Sequence, residues 1–266
     1  MKHKKRPDTL FAVEQGQGDG APVVLLHGFG GNGQVWTAVQ PDLAQDGRTL
    51  AYDLPGHGRS LHAAGSEKTG RMAGSITRDL AGRGINRVHL VGHSMGGAVA
   101  TLMALRTPHL VASMTLLSPG GFGPEINHRL LRRYANARDR DALTAALENM
   151  FGWNCAIPQV LVDMVMEERA QAGAVDGLNT LLDGMLKQRD GEVGQGTFGR
   201  QTLAGLTMPV SVLWGTQDRV LPTRQAHRLP PLFAAHVFED TGHMLIEERR
   251  EAVVHLVRQS IRSAVD

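Results

Sequence analysis

The sequence predicts an α/β fold: a mostly parallel sheet flanked by helices, with a helical lid inserted late in the chain. Three observations carry this expectation. Short apolar runs recur along the chain, each closed by turn residues. Helical stretches lie between them. One strand-turn-helix unit carries the spacing G-x-S-x-G, at Gly92-His93-Ser94-Met95-Gly96.

The strands come first. The strong runs are Pro22-Val23-Val24-Leu25-Leu26, Thr49-Leu50-Ala51-Tyr52, Val88-His89-Leu90-Val91, Ser113-Met114-Thr115-Leu116-Leu117 and Val210-Ser211-Val212-Leu213-Trp214. Ala235-His236-Val237-Phe238 is a weaker sixth. Runs without polar alternation suit strands buried on both faces of a parallel sheet. Residues 9–14 add an N-terminal edge strand. Helices are expected over 72–82, 95–106 and 249–262, and the strand-helix alternation argues for an α/β architecture.

Between 124 and 200 the alternation stops and only helical patterns remain. Leu143, Ala146, Leu147 and Met150 fall at i, i+3, i+4, i+7, as do Leu178, Leu181, Leu182 and Met185. Pro158 opens a further helix over 158–171. Gly120-Gly121-Phe122-Gly123-Pro124 bounds the segment on one side and the Gly-rich stretch 191–199 on the other. The predicted organisation is therefore a core formed by 1–123 and 201–266, with 124–200 as the lid.

Composition narrows the function classes. The net charge is +2, so nothing global points to nucleic acid. Lys2, Lys4, Lys5 and Arg6 read as a solvated tail. A single cysteine, Cys155, rules out a disulfide within the chain and fits a reducing compartment. With no nucleophile motif around it, Cys155 reads as inert packing. No apolar run approaches the roughly 18 residues that span a bilayer. No apolar signal-peptide core follows the basic start. The expectation is a cytoplasmic protein with a small-molecule substrate and neither a nucleic-acid nor a membrane partner; the oligomeric state is not legible.

Ser94 is the expected nucleophile. A turn this tight forces its central residue into a strained conformation, requires small flanking residues, and lifts the hydroxyl above the sheet beside a helix N-terminus. Free N–H groups and the positive dipole end there suit a developing oxyanion. A serine needs an adjacent base oriented by a third group, and after this motif the chain order is serine, acid, histidine. Of the 12 histidines, His243 is the candidate base, on the Gly-containing loop after the last strand. His93 is beside the nucleophile but is expected to point elsewhere along the turn, and His27 and His57 read as loop packing or pocket lining. Asp218 is the candidate acid, directly after a strong strand; Glu239 and Asp240 lie too near His243 in sequence. The oxyanion hole is assigned to the N–H groups of Met95 and Phe29, the latter in His27-Gly28-Phe29-Gly30-Gly31. Gly28 lets the backbone approach the substrate. Trp153, on the lid with Phe151 and several Met and Leu residues, is expected to line an apolar pocket. No Lys-Ser/Thr of a phosphate-binding loop follows the Gly loop. The chemistry requires no metal or organic cofactor.

Taken with Asp53-Leu54-Pro55-Gly56-His57-Gly58-Arg59-Ser60, Trp214-Gly215-Thr216-Gln217-Asp218 and Gly242-His243, these motifs resemble the α/β-hydrolase fold family over about residues 10 to 262. The resemblance implies an eight-stranded, mostly parallel sheet under a helical lid. Ser118-Pro119-Gly120-Gly121-Phe122-Gly123-Pro124-Glu125-Ile126-Asn127 is similar to the hydrolase or acyltransferase-like domain of acetoin dehydrogenase E2 components. Those carry an N-terminal lipoyl domain, whereas about 20 residues precede the first core strand here. The resemblance implies hydrolysis of an ester or related acyl bond, with acyl transfer as the alternative. Dehalogenases and epoxide hydrolases use an aspartate where Ser94 stands. Carbon–carbon bond hydrolysis is a further alternative, disfavoured because such hydrolases typically have tryptophan after the histidine, where this chain has Met244. Cofactor-free haloperoxidase-like activity shares the triad. A non-enzymatic ligand-binding module would show a broken triad.

Overall fold

The computed structural model describes residues 10–264. The basic residues Lys2, Lys4, Lys5 and Arg6 lie outside them. Nine strands are described: β1 (Ala12–Gln15), β2 (Val23–Leu26), β3 (Thr49–Tyr52), β4 (Val88–His93), β5 (Val111–Leu117), β6 (Leu186–Arg189), β7 (Glu192–Gln195), β8 (Val210–Gly215) and β9 (Ala234–Phe238). Seven of them form one sheet in the order β1-β3-β2-β4-β5-β8-β9. Only β1 runs antiparallel, against β3. The other pairings in this sheet are all parallel.

This is the predicted fold class with two corrections. The seven apolar runs account for all seven strands, and the eighth strand implied by the resemblance is absent among the described residues. A second correction concerns the insertion, which is not purely helical: β6 and β7 form a separate two-stranded antiparallel ribbon.

The helices are α1 (Gln40–Leu43), α2 (Thr69–Gly82), α3 (Met95–Arg106), α4 (His128–Asn136), α5 (Arg140–Glu148), α6 (Gln159–Ala170), α7 (Ala174–Met185), α8 (Arg200–Ala204), α9 (Leu245–Glu248) and α10 (Arg250–Arg262). Because successive side chains of a strand point to opposite faces, the continuous apolar runs feed two cores. Val24, Leu26, Leu50, Leu90 and Met114 pack with α2, α3 and the lid helices. Val23, Leu25, Ala51, Val91 and Leu213 pack with α10 and the buried Trp36. Covering both faces is what lets an apolar parallel sheet persist in water.

The lid is tied to the core by specific bonds. Glu168 on α6 accepts from Asn32 Nδ2 (2.7 Å) and from the Gly58 N–H (2.8 Å). The Tyr134 hydroxyl donates to the Gly30 carbonyl (3.1 Å), and within the lid Arg169 donates to the Tyr134 carbonyl with its guanidinium 4.4 Å from the Tyr134 ring centroid. Gln195, at the end of β7, accepts from the Gly121 N–H and donates to the carbonyls of Gly123 and Glu125. It thereby fixes the loop that leads out of β5.

Candidate active site

Parallel strands place all their carboxyl ends on one side of the sheet, and loops leaving that side converge. Here β2 leads to His27–Gly31, β4 to Ser94, β8 to Asp218 and β9 to His243.

Ser94 sits at φ 52°, ψ −114°, a conformation that costs free energy for any residue with a side chain. The reason is local. A Cβ at Gly92 would lie 2.5 Å from the Gly96 carbonyl oxygen, and one at Gly96 would lie 2.2 Å from the Leu26 carbonyl oxygen. Only glycine permits chain crossings this close. The turn therefore brings the end of β4 against the start of α3, with Ser94 at the apex. Gly28 is also closely packed: a Cβ there would lie 2.9 Å from His93 Nδ1 and 3.3 Å from the Ser94 Cβ.

Asp218 and His243 are brought together across 25 residues. Asp218 Oδ2 accepts from His243 Nδ1 at 2.8 Å, with both side chains buried. Asp218 Oδ1 accepts from the N–H groups of Val220 (2.9 Å) and Leu221 (2.8 Å). The carboxylate is thus held at both oxygens. Since it can only accept, Nδ1 carries the proton and Nε2 of the neutral imidazole is free to accept one. Ser94, His243, Gly28 and Phe29 all line one small cavity of about 40 Å³.

The main chain of His243 is fixed at both ends. Its N–H donates to the Met150 carbonyl (2.6 Å), and its carbonyl accepts from His93 Nε2 (2.8 Å). The Glu248 carboxylate gathers the N–H groups of Gly152 (2.9 Å), Gly242 (3.0 Å) and Met244 (3.2 Å) around the same loop. Sequence reasoning missed Glu248. Nothing in its sequence position distinguishes it from any acidic residue on a surface helix.

The loop His27–Gly31 is stapled by two buried histidines. His27 Nε2 accepts from the Leu54 N–H (2.9 Å), so its Nδ1 carries the proton and donates to the Gly28 carbonyl (2.7 Å). His57 Nε2 accepts from the Gly30 N–H (3.2 Å). Burial drives both toward the neutral form, His27 to a pKa of about 4 and His57 to about 3. Burial likewise lowers His93 to about 3. All three thus hold main-chain groups: His27 those of Gly28 and Leu54, His57 that of Gly30, and His93 that of His243. Among the described residues, the N–H groups of Phe29 and Met95 have no hydrogen-bond partner. Met95 opens α3, where such orphan donors are normal.

Trp153 is not brought into this site. Its side chain is 73% exposed, and its N–H donates to Gln217 Oε1 on the outer side of the His243 loop. The lid instead contributes Leu131, Leu147, Leu161, Met164 and Val165 to the small cavity. Glu247 joins them, with an unpartnered, inaccessible Oε2; burial raises its pKa to about 8. The Cys155 thiol is pushed up by burial, the opposite of an activated thiolate. Among the described residues, no three or more His, Cys, Asp or Glu side chains are grouped to hold a metal ion. No described helix is long and apolar enough to cross a membrane.

The sequence model of the alpha/beta hydrolase family matches residues 23–256. The chain belongs to this family. As an alpha/beta hydrolase, it is 34% identical over 237 residues to the dihydrolipoyllysine-residue acetyltransferase component of the acetoin cleaving system of Cupriavidus necator. That match covers 86% of this chain and 60% of the relative, so the chain spans well under two thirds of that protein's length. It is 30% identical to the 2-hydroxy-6-oxononadienedioate/2-hydroxy-6-oxononatrienedioate hydrolase of Cupriavidus pinatubonensis, covering 95% of this chain and 91% of the relative. Among solved structures, a meta-cleavage product hydrolase from Pseudomonas fluorescens superimposes with a TM-score of 0.81 at 20% identity, covering 96% of this chain and 94% of that one. At that identity the likeness speaks for the alpha/beta hydrolase fold alone.

Proposed function

We propose that this alpha/beta hydrolase is a serine hydrolase that cleaves an ester or related acyl bond of a small, partly apolar molecule through an acyl-enzyme on Ser94. The observation that carries the reading is the constellation itself: a strained Ser94 at the strand-helix turn, sharing one cavity with a His243 whose Nδ1 is held by Asp218.

In this reading each residue has a distinct role. Ser94 Oγ attacks the carbonyl carbon while His243 Nε2 takes its proton. Asp218 keeps the imidazole in the right tautomer and stabilises the imidazolium without accepting the proton itself. The free N–H groups of Phe29 and Met95 are the donors for the oxyanion. His243 then protonates the leaving group, and water deacylates the enzyme by the same steps in reverse. The single cysteine supports a reducing, cytoplasmic setting.

Hydrolysis of short-chain p-nitrophenyl esters tests the reading. Ser94→Ala is expected to abolish turnover, and full retained activity would sink the assignment. The similarity to an acetyltransferase component favours a second reading, in which a thiol replaces water as acyl acceptor. Product analysis with an acyl donor and dihydrolipoamide separates the two.

A further inference from the structure

Beside Ser94 opens a second, larger cavity of about 610 Å³. That volume falls within the usual range for small-molecule sites, about 300–1,000 Å³. Its inner wall is apolar: Met95, Leu102, Ile126, Leu131, Phe198 and Leu221. Its exposed rim has a different character. Lys68, Arg71, Arg106 and Lys187 all line it, and no carboxylate does.

These cations come from separate parts of the chain. Lys68 and Arg71 lie at the start of α2, Arg106 is the last residue of α3, and Lys187 lies on β6 of the lid. Their compensation is slight. Glu67 lies 3.6 Å from Arg71. Arg106 donates to the Gly70 carbonyl, which leaves its charge unbalanced. Asp183, next to the lining residue Gly184, pairs with Arg132 instead. Among the described residues, the Lys68 and Lys187 side chains have no hydrogen-bond or ion-pair partner. A chain of net charge +2 has no overall excess to explain such a cluster. A cleft with low-dielectric walls and one sign of charge focuses its field on the opposite charge.

We propose that the substrate is anionic: an acyl compound whose larger half is apolar next to the scissile carbonyl and ends in a carboxylate or phosphate at the Lys68–Lys187 rim. The inference rests on the Ser94 hydrolase reading. The cavity of about 40 Å³ that also adjoins Ser94 has room only for a compact group, which sends the larger half into the cationic opening.

Two matched ester pairs test it and show which half carries the charge. 4-Nitrophenyl hydrogen adipate against 4-nitrophenyl hexanoate places the anion on the acyl half. 4-Acetoxybenzoate against its methyl ester places it on the leaving group. In one pair, the anionic member is expected to have a kcat/KM about tenfold higher at low salt. That ratio should fall toward one at about 0.5 M salt, where screening is nearly complete, and also in the Lys68→Gln/Lys187→Gln double variant. Ratios at or below one in both pairs overturn the proposal, as does a ratio that neither salt nor the double variant moves. A binding measurement keeps the charge question separate from turnover. Calorimetry on Ser94→Ala should show adipate binding several-fold tighter than hexanamide, with the difference reduced in the double variant, which keeps Arg71 and Arg106. Equal binding overturns the anion site. If no ester of either charge is turned over, the hydrolase reading falls, and the calorimetry still decides the anion site.

Discussion

Lowering the pH should unfold this protein through the three histidines that hold its active-site loops. His27, His57 and His93 have folded pKa values of about 4, 3 and 3, against 6.5 for an exposed imidazole. The folded values lie below the unfolded one, so this stability is complete above pH 6.5 and is lost as pH falls toward 4 and then 3. At pH 4 the unfolded chain gains about 3.4 kcal/mol per histidine, 2.5 pH units at about 1.4 kcal/mol each, or roughly 10 kcal/mol for three. Glu247 acts in the opposite sense. Its folded pKa of about 8 lies above the usual 4.5, so its penalty on the folded state shrinks as pH falls. That offsets about 3 kcal/mol. Asp53 and Glu168, also raised by burial, add smaller offsets. The remaining loss of roughly 6 kcal/mol is comparable to the whole stability of an ordinary domain, about 5–15 kcal/mol. Urea unfolding at a series of pH values, followed by fluorescence of the buried Trp36 and Trp214, reads this directly. His57→Gln should reduce the loss between pH 7 and pH 4 by about 3 kcal/mol, whatever it does to stability at neutral pH. Stability that stays flat down to pH 4, or a His57→Gln variant with the full pH dependence, refutes the reasoning.

Two substitutions probe the site's geometry. In Asp218→Asn, the N–H groups of Val220 and Leu221 hold the amide oxygen where Oδ1 was, so the NH2 faces His243 Nδ1 and forces the wrong tautomer. We expect kcat to fall by about 10³–10⁴-fold with KM little changed; a loss confined to KM contradicts this. Glu248→Ala strips the acceptor from the N–H groups of Gly152, Gly242 and Met244. It should cost about 2–4 kcal/mol in urea unfolding and lower kcat by loosening the His243 loop, and unchanged values of both would show that the carboxylate is idle.

What the sequence made legible follows from how local each cause is. The turn at Ser94 could be read because its constraint is carried by neighbours, Gly92 and Gly96, within five residues. The central strands β2, β3, β4, β5 and β8 could be read because burial on both faces leaves no polar alternation. Asp218 and His243 were found by their order along the chain, although the 2.8 Å contact between them depends on the whole sheet. The β6–β7 ribbon was missed because Lys187, Gln188, Arg189 and Glu192 are polar and exposed and give no apolar period. Its available signal was Asp190-Gly191, both at positive φ, the pairing of a tight hairpin turn. Trp153 misled because a large aromatic residue on a lid reads as pocket lining, yet the chain carries its ring outward. Glu248 and the paired staples of His27 and His57 depend on distant backbone N–H groups, and no pattern along the chain reports those.

The central claim is that Ser94 becomes covalently acylated. The most direct measurement is intact-mass spectrometry after rapid acid quenching during turnover of p-nitrophenyl acetate, followed by peptide mapping. The account predicts one added acetyl group, located on the peptide containing Ser94, with none in Ser94→Ala. Turnover with no adduct on Ser94 in a quench fast enough to precede deacylation, or an adduct on another residue that persists in Ser94→Ala, would contradict it.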